Sequence, residues 1–281
     1  MTVETAETIF WVVHLPLMVL FLAGMGVVLS IWLRAGADRQ TLGGLLGDVF
    51  RTVFSARLVS LVRTFVTEAW FNRRLWRTDV WRWLSHFLLL TGFVLLMTLS
   101  GVSALSDKVL IHLFHLEHVP VINMWVTPDH PITGLLNEIG GVMMTVGFLF
   151  FVIRRYAKPP SQLRTGPMDT WMVVGLGAIL LSGWVAEVVR LNSSHVGPTA
   201  YVAFLGYPLA LLFRGLSIPW DALHAWMYVI HGLLTSVVIA TIPFSKFMHV
   251  IAGALVTMVR EMEAESGEHV DLEKGGARVP A

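Results

Sequence analysis

The chain has 281 residues, of which 55% are hydrophobic and 14% are charged, and its net charge is +1. Soluble domains average about 45–50% apolar and about 25% charged residues, so this composition is that of a membrane protein. Cysteine is absent, which excludes disulfides, thiolate zinc sites, cysteine-ligated iron–sulfur clusters and the attachment motif of c-type haem. A redox centre must therefore be held by His, Met or carboxylate side chains, or be a bound organic cofactor.

Five segments are long and apolar enough to cross a bilayer, which takes about 20 mostly apolar residues. They are residues 9–33, 81–105, 131–153, 170–189 and 220–243, and the last is expected to continue as helix to about His249. The first segment follows acidic residues instead of a basic leader, so it is expected to be a retained span and not a cleaved signal peptide. A sixth apolar stretch, residues 201–213, is too short to cross and is interpreted as interfacial or re-entrant.

The basic residues indicate an orientation. Arg and Lys are concentrated in the first and third loops, and cytoplasmic loops carry this excess, so the N-terminus is predicted outside and the C-terminus inside. Residues 41–70 alternate apolar side chains with Arg at a helical rhythm, which predicts an amphipathic helix on the cytoplasmic surface, either anchored to lipid or serving as a docking platform. The predicted fold is an all-α integral membrane helical bundle with five transmembrane helices plus interfacial amphipathic helices.

Histidines recur along the last predicted span, where ionisable residues are rare and usually functional. His231 and His249 are 18 residues apart. On one continuous helix this is about five turns, so both would lie on one face, about 27 Å apart along the axis. His224 falls close to the same face. A two-haem electron path requires such a stripe, because each iron takes one axial ligand from this helix and one from a facing helix.

His86 is the expected partner of His249. It lies five residues inside the second span from the cytoplasmic end, at a depth similar to that of His249, so the two side chains can ligate one haem from opposite sides. Gly92, in the same helix as His86, is expected to leave room for the flat macrocycle.

Two motifs resemble those of a known family. R-R-L-W-R-T-D-V-W-R-W-L-S-H ends at His86, and P-F-S-K-F-M-H ends at His249. They are similar to the membrane cytochrome b subunits of respiratory nitrate reductase (the gamma subunit) and of heterodisulfide reductase. The resemblance implies a haem b-containing transmembrane domain, assigned to residues 1–259 with segment 41–70 inserted. Residues 260–281 are polar and mixed in charge, which predicts a flexible cytoplasmic tail. The resemblance also implies two b haems, one at the least, with His86 and His249 on the cytoplasmic side and His231 outside.

The sequence departs from the nitrate reductase pattern at one position. That pattern has a second His ten residues after the first in the second span, whereas this chain has Leu96. The second ligand of the outer haem therefore stays open: His130 is preferred, then His14, and then the outer-loop histidines His112, His115 and His118. His224 in place of His231, or a single haem, are further alternatives.

The resemblance implies electron transfer between a membrane quinone (menaquinone or ubiquinone) and a cytoplasmic iron–sulfur partner subunit, in a prokaryotic plasma (inner) membrane. No nucleic acid is expected as a partner. Four polar residues near the outer surface are candidates for quinone contact or proton relay: Lys108, His112, Asn137 and Glu138. For Asn137 and Glu138, a hydrogen bond that only packs helices is an equal alternative.

Two other functional classes stay open, a haem-free quinone-binding anchor and a proton or metal transporter. Inverted repeats and broken helices, which are typical of transporters, are not evident in the sequence.

Overall fold

The computed structural model describes residues 2–35, 50–51, 54–55, 57–157, 166–194, 196–266, 268–271 and 277–280. Within these ranges, five helices are long and apolar enough to cross a membrane, which confirms the predicted number and their places in the sequence. The predicted amphipathic segment is described only in part, since residues 41–49, 52–53 and 56 lie outside these ranges. Segregation of Arg into two loops remains the only basis for the predicted orientation.

The described helices are numbered in chain order. They are α1 (Val3–Ala35), α2 (Arg57–Thr64), α3 (Arg73–Thr78), α4 (Val80–Leu105), α5 (Pro120–Val126), α6 (Pro131–Val152), α7 (Pro167–Asn192), α8 (Gly206–Leu211), α9 (Trp220–Thr241) and α10 (Met248–Ser266). Single π-helical turns follow α2, α4 and α6. Two short antiparallel strands, β1 (Glu268–Asp271) and β2 (Ala277–Pro280), follow α10. They lie within residues 260–281, whose flexibility stays a prediction.

Glycines bring α4 and α6 into backbone contact. A methyl group on Gly92 would lie 2.5 Å from the backbone N of Met144, and one on Gly147 would lie 2.9 Å from the carbonyl oxygen of Ser85. The Ser85 hydroxyl donates a hydrogen bond to the Gly147 carbonyl at 3.1 Å. Helices in lipid associate through such close contacts, because lipid tails leave little hydrophobic driving force between them. The expectation that Gly92 leaves room for a macrocycle is therefore wrong, since the backbone of α6 fills that space.

The last predicted span does not continue to His249. Helix α9 ends at Thr241, a 3₁₀ turn covers Ile242–Phe244, and α10 begins at Met248. Pro243 has no N–H to donate and its ring collides with the preceding turn, which ends the helix. The Ser245 hydroxyl then accepts a hydrogen bond from the backbone N–H of Phe247 at 3.2 Å. The prediction that His231 and His249 share one face of one helix is wrong, because they belong to separate helices.

Two compact units make up the chain. One comprises residues 1–15 and 84–238, and the other comprises residues 16–83 and 239–281. In the second unit, α10 packs on α2 and on the π-helical turn Phe65–Trp70. In the first unit, the short sixth apolar stretch forms a 3₁₀ turn and α8, and α8 folds back on α7 around buried Leu191, Ala203 and Ala210. The stretch is too short to cross, as predicted.

Candidate functional site

His14 of α1 forms a hydrogen bond with a serine of α9. Its Nδ1 lies 2.7 Å from Oγ of Ser236, and the Ser236 hydroxyl donates its only proton to the Gly232 carbonyl at 2.7 Å. With the hydroxyl proton assigned to that carbonyl, His14 donates from Nδ1 to Ser236. This hydrogen-bond network assigns the proton to Nδ1 and leaves the lone pair on Nε2.

His231 of α9 repeats the arrangement with a serine of α7. Its Nδ1 lies 3.0 Å from Oγ of Ser182, which donates its proton to the Ile179 carbonyl at 3.1 Å. The imidazole also lies against Gly183, where a methyl group would be 3.2 Å from Cε1. His231 thus holds the same tautomer as His14. Imidazoles that ligate a metal commonly donate the other ring N–H to a fixed acceptor, and both histidines satisfy that condition.

His130 carries its ring proton on the other nitrogen. It precedes α6 in an extended conformation, and its Nδ1 accepts the backbone N–H of Ile132 at 3.3 Å. Because Nδ1 accepts, the ring proton of the neutral imidazole lies on Nε2. His130 therefore acts as a helix cap here, and its tautomer differs from the one that ligates metals through Nε2.

The remaining candidate histidines are spread over three elements. His86 is half-buried in α4, and His224 is half-buried one turn into α9. His249 is exposed in the first turn of α10, with its Nδ1 bonded to the Lys246 carbonyl. Beyond these, His115 and His118 are exposed in the loop before α5. Because a carbonyl can only accept, His249 also carries its proton on Nδ1, and His14 and His231 are the half-buried candidates in which a hydrogen bond holds this tautomer.

Lys108 lies in a cluster of charged and aromatic side chains. Its ammonium is paired with Glu7 of α1 and, at 2.8 Å, with Asp107. The same ammonium lies 5.9 Å from the ring centroid of Trp11. His112, another quinone candidate, is exposed and bonds through Nδ1 to the Asp107 carbonyl at 2.7 Å. A donor-rich surface of this kind can bind a carbonyl oxygen beside an aromatic ring.

The two polar residues predicted inside the third span face different surroundings. Asn137 is exposed, whereas Glu138 is 4% exposed. The Glu138 carboxylate accepts the backbone N–H groups of Leu205 at 3.0 Å and Gly206 at 3.2 Å. These bonds satisfy the free donors at the start of α8. The helix-packing alternative for Glu138 is thereby supported over quinone contact.

A buried ion cluster that no sequence pattern predicted lies near the end of α7. Arg190 donates to Asp129 at 2.7 Å and to Glu187 at 2.8 and 3.0 Å. Asp129 also accepts the backbone N–H of Gly197 at 2.5 Å. The opposite charges of Asp129 and Arg190 lie far apart in the sequence, so no local motif announces the pair. The sequence does contain one local indication of the cluster: Glu187 and Arg190 are ionisable residues three positions apart inside an apolar segment.

Family membership follows from comparison with known proteins. A family model described as nitrate reductase gamma subunit matches residues 120–264, which is more than half of the chain. The chain belongs to this family. Its five long apolar helices accordingly make it a multi-pass membrane protein. Members of the family are membrane subunits of multi-subunit redox complexes linked to quinones.

Curated relatives fall into two kinds. An EtfAB:quinone oxidoreductase of Syntrophomonas wolfei is 26% identical over 276 residues, which cover 94% of this chain and 35% of the relative. The E subunit of the dihydromethanophenazine:CoB–CoM heterodisulfide reductase of Methanosarcina thermophila is 24% identical, over 72% of this chain and 67% of the relative. Its counterpart in Methanosarcina barkeri is also 24% identical. The chain thus spans about a third of the first relative's length. No solved structure matches the chain.

Nitrate reductase gamma subunits typically bind haem b, and the donor chemistry of this chain fits that group. Two half-buried imidazoles, His14 and His231, hold the tautomer with an Nε2 lone pair. Neutral imidazole is a normal axial ligand of haem iron, and a bis-imidazole site needs no cysteine. The serines that set these tautomers, Ser182 and Ser236, were not predicted. In the sequence these serines are distinguished only as hydroxyl groups inside apolar spans, and such hydroxyl groups more commonly bond to a carbonyl of their own helix.

Proposed function

We propose that the chain is the haem b-containing membrane subunit of a respiratory redox complex. It transfers electrons between a membrane quinone, menaquinone or ubiquinone, and an iron–sulfur partner subunit on the cytoplasmic side. The single observation that carries the proposal is the pair of imidazole–serine hydrogen bonds, His14–Ser236 and His231–Ser182, in a chain of this family. The names of the relatives support it, since one is a quinone oxidoreductase and another acts on dihydromethanophenazine and a heterodisulfide.

His231 and His14 are the proposed ligands on the outer side. His14 replaces His130 as the preferred second ligand, because the His130 Nδ1 already accepts a backbone N–H and its Nε2 carries the proton. His86 and His249 remain the proposed ligands on the cytoplasmic side, and the break at Pro243 means that His249 comes from α10 and not from α9. His224 is held as the alternative to His231. When bound, haem b supplies a one-electron relay.

The protein's own contribution is orientation and hydrogen bonding. Ser182 and Ser236 keep a proton on Nδ1 of their histidines and fix the rotation of each ring. An N–H donated to a neutral acceptor raises the basicity of the ligating nitrogen only moderately, compared with an N–H donated to a carboxylate. Lys108 and His112 are the proposed quinone contacts, with Lys108 held by Glu7 and Asp107 beside Trp11.

Quinol oxidation by the purified chain tests this proposal. A short-chain quinol mixed with the oxidised protein should produce the absorbance of reduced b-type haem. Lys108→Gln should slow this reduction about tenfold, because the loss of one charged hydrogen bond to the quinone costs roughly 1.5–3 kcal/mol. The matched control is Arg214→Gln, which removes an exposed charge from the loop after α8. If dithionite reduces the chromophore but quinol never does, the quinone role is wrong.

A further inference from the structure

A basic groove lies just before the second membrane-spanning helix. Its lining consists of Glu68, Arg73, Arg74, Arg77 and Thr78, and its volume is about 310 Å³. Arg73 and Arg74 begin α3, and Arg77 follows one turn later on the same short helix. Three arginines and one glutamate give the lining a net charge of +2.

The arginines of this groove differ from the nearly buried arginines of the chain. Arg73, Arg74 and Arg77 are exposed, and within the described part of the chain none of them forms an ion pair. Arg155 and Arg190, by contrast, are nearly buried and paired with Asp169 and with Asp129 and Glu187. Since no described carboxylate forms an ion pair with them, the three guanidinium groups are suited to an external anion, and their planar forks match the oxygens of a phosphate.

The groove is built on a fixed turn. Asn72 adopts a left-handed conformation (φ 51°), and its side chain accepts the backbone N–H of Leu75 at 3.1 Å, which caps α3. The Trp83 indole donates to the Phe71 carbonyl at 2.6 Å, and its ring meets that of Trp76 edge-on at 4.4 Å. These contacts fix the backbone of the turn and short helix that carry the three arginines.

The position along the chain places the groove at the depth of lipid headgroups. Thr78 is two residues before Val80, where the apolar span begins. Trp76 and Trp81 are 42% and 68% exposed, and Val80 is 49% exposed. Exposed tryptophans at the end of a span mark the membrane–water interface. A ligand in the groove would therefore have its charge against arginines and its apolar part beside Trp76, Val80 and Trp81.

We propose that this groove binds the phosphate of an anionic phospholipid. The exposed apolar side chains that neighbour the groove residues in the sequence favour a lipid over an acidic protein surface, because acyl chains cover them and a carboxylate-rich surface does not. Glu68 opposes the bound phosphate and lowers the charge of the lining from +3 to +2. The bound lipid links α3 to the start of α4 through charge and apolar contact together.

Lipid retention by the detergent-purified full chain tests the proposal, with native mass spectrometry counting bound dioleoylphosphatidylglycerol and dioleoylphosphatidylcholine. The groove variant is Arg73→Gln/Arg77→Gln. The control is Arg63→Gln/Arg82→Gln, which removes the same charge from exposed arginines of the same segment outside the groove. We expect the groove variant to hold the phosphatidylglycerol about tenfold more weakly, and the control to resemble the unaltered chain, because only the groove variant loses charge-assisted hydrogen bonds to the phosphate.

Glu68→Gln removes the opposing charge and should tighten phosphatidylglycerol binding. A misfolded variant would not bind the lipid more tightly, so this result separates the proposal from misfolding. Equal retention by both double variants overturns the proposal, as does binding of phosphatidylcholine as tight as that of phosphatidylglycerol. Displacement of the lipid by millimolar inorganic phosphate in all variants indicates a free-anion site and also overturns it. If the groove variant keeps its lipid but loses a co-purifying soluble protein, the groove is a protein-docking surface instead.

Discussion

The carboxylate of Glu138 accepts the backbone N–H of Gly206 at 3.2 Å, and this bond ties the start of α8 to the middle of α6. Gly206 has no room for a side chain there, since a methyl group would lie 2.8 Å from Oε1 of Glu138 and 3.0 Å from Cγ of Glu187. The buried carboxylate thus has a structural task that accounts for its presence in an apolar helix.

Glu138→Leu is expected to destabilise the protein. It leaves two backbone donors, those of Leu205 and Gly206, without an acceptor, and each orphaned donor costs about 1–3 kcal/mol. Thermal unfolding in detergent should show a lower midpoint, with early protease cleavage between residues 196 and 212. Glu138→Gln keeps one acceptor oxygen and should lose less. A variant that unfolds normally but no longer reacts with quinol would show that the carboxylate serves the redox reaction instead.

Arg190→Ala should lower the stability of the protein more than Glu138→Leu does. Its removal takes the paired cation away from buried Asp129 and from partly buried Glu187, and breaking a buried ion pair in this way costs about 3–5 kcal/mol. We expect poor yield and a lower unfolding midpoint. Arg214→Ala, at an exposed position, serves as the control. Similar unfolding midpoints for the two variants would contradict a stabilising role for the cluster.

Gly92→Ala tests the backbone contact between α4 and α6. The added methyl group would lie 2.5 Å from the Met144 nitrogen and 2.7 Å from the Gly140 carbonyl oxygen, so the helices must separate. Overpacking of this kind costs about 1–3 kcal/mol. Gly101→Ala, in the same helix, meets no described atom within 4 Å and should be neutral or slightly stabilising. Unfolding midpoints of the two variants check the prediction, and a neutral Gly92→Ala would refute the close contact.

Ser236→Ala and Ser182→Ala test the histidine orientation. Each removes the acceptor for an imidazole Nδ1–H, so the ring becomes free to rotate and to exchange tautomers. We expect lower haem content or a shifted midpoint potential, with unchanged secondary structure by circular dichroism. Thr235→Ala, whose hydroxyl bonds within α9 to the His231 carbonyl, is the neighbouring control. Unchanged haem content and potential in both serine variants would remove the support for His14 and His231 as ligands.

The sequence predicts the spans well and the contacts between them poorly. Hydropathy summed over about 20 residues is a local quantity, so the number and places of the long helices could be predicted. The end of α9 is also marked locally by Pro243, which cannot continue a helix and which outweighs the 18-residue spacing of His231 and His249.

The serine partners could not be predicted from local pattern. His14 and Ser236 are 222 residues apart, and whether they meet depends on how α1 and α9 are rotated about their axes. The same holds for Gly92, whose missing side chain suits a flat ligand and a neighbouring backbone equally well, until the position of α6 is known. Glu138 is recognisable in the sequence as a polar residue inside an apolar span, whereas its contact with Leu205 and Gly206 depends on the fold.

The most direct measurement is the haem content of the purified chain, taken from its reduced-minus-oxidised spectrum together with a count of haem iron per polypeptide. We expect a b-type spectrum with two haems per chain, and His231→Ala or His14→Ala should each remove about one, while His118→Ala, in the exposed loop, should leave both. A colourless chain, or a spectrum unchanged by both His231→Ala and His14→Ala, would contradict the account.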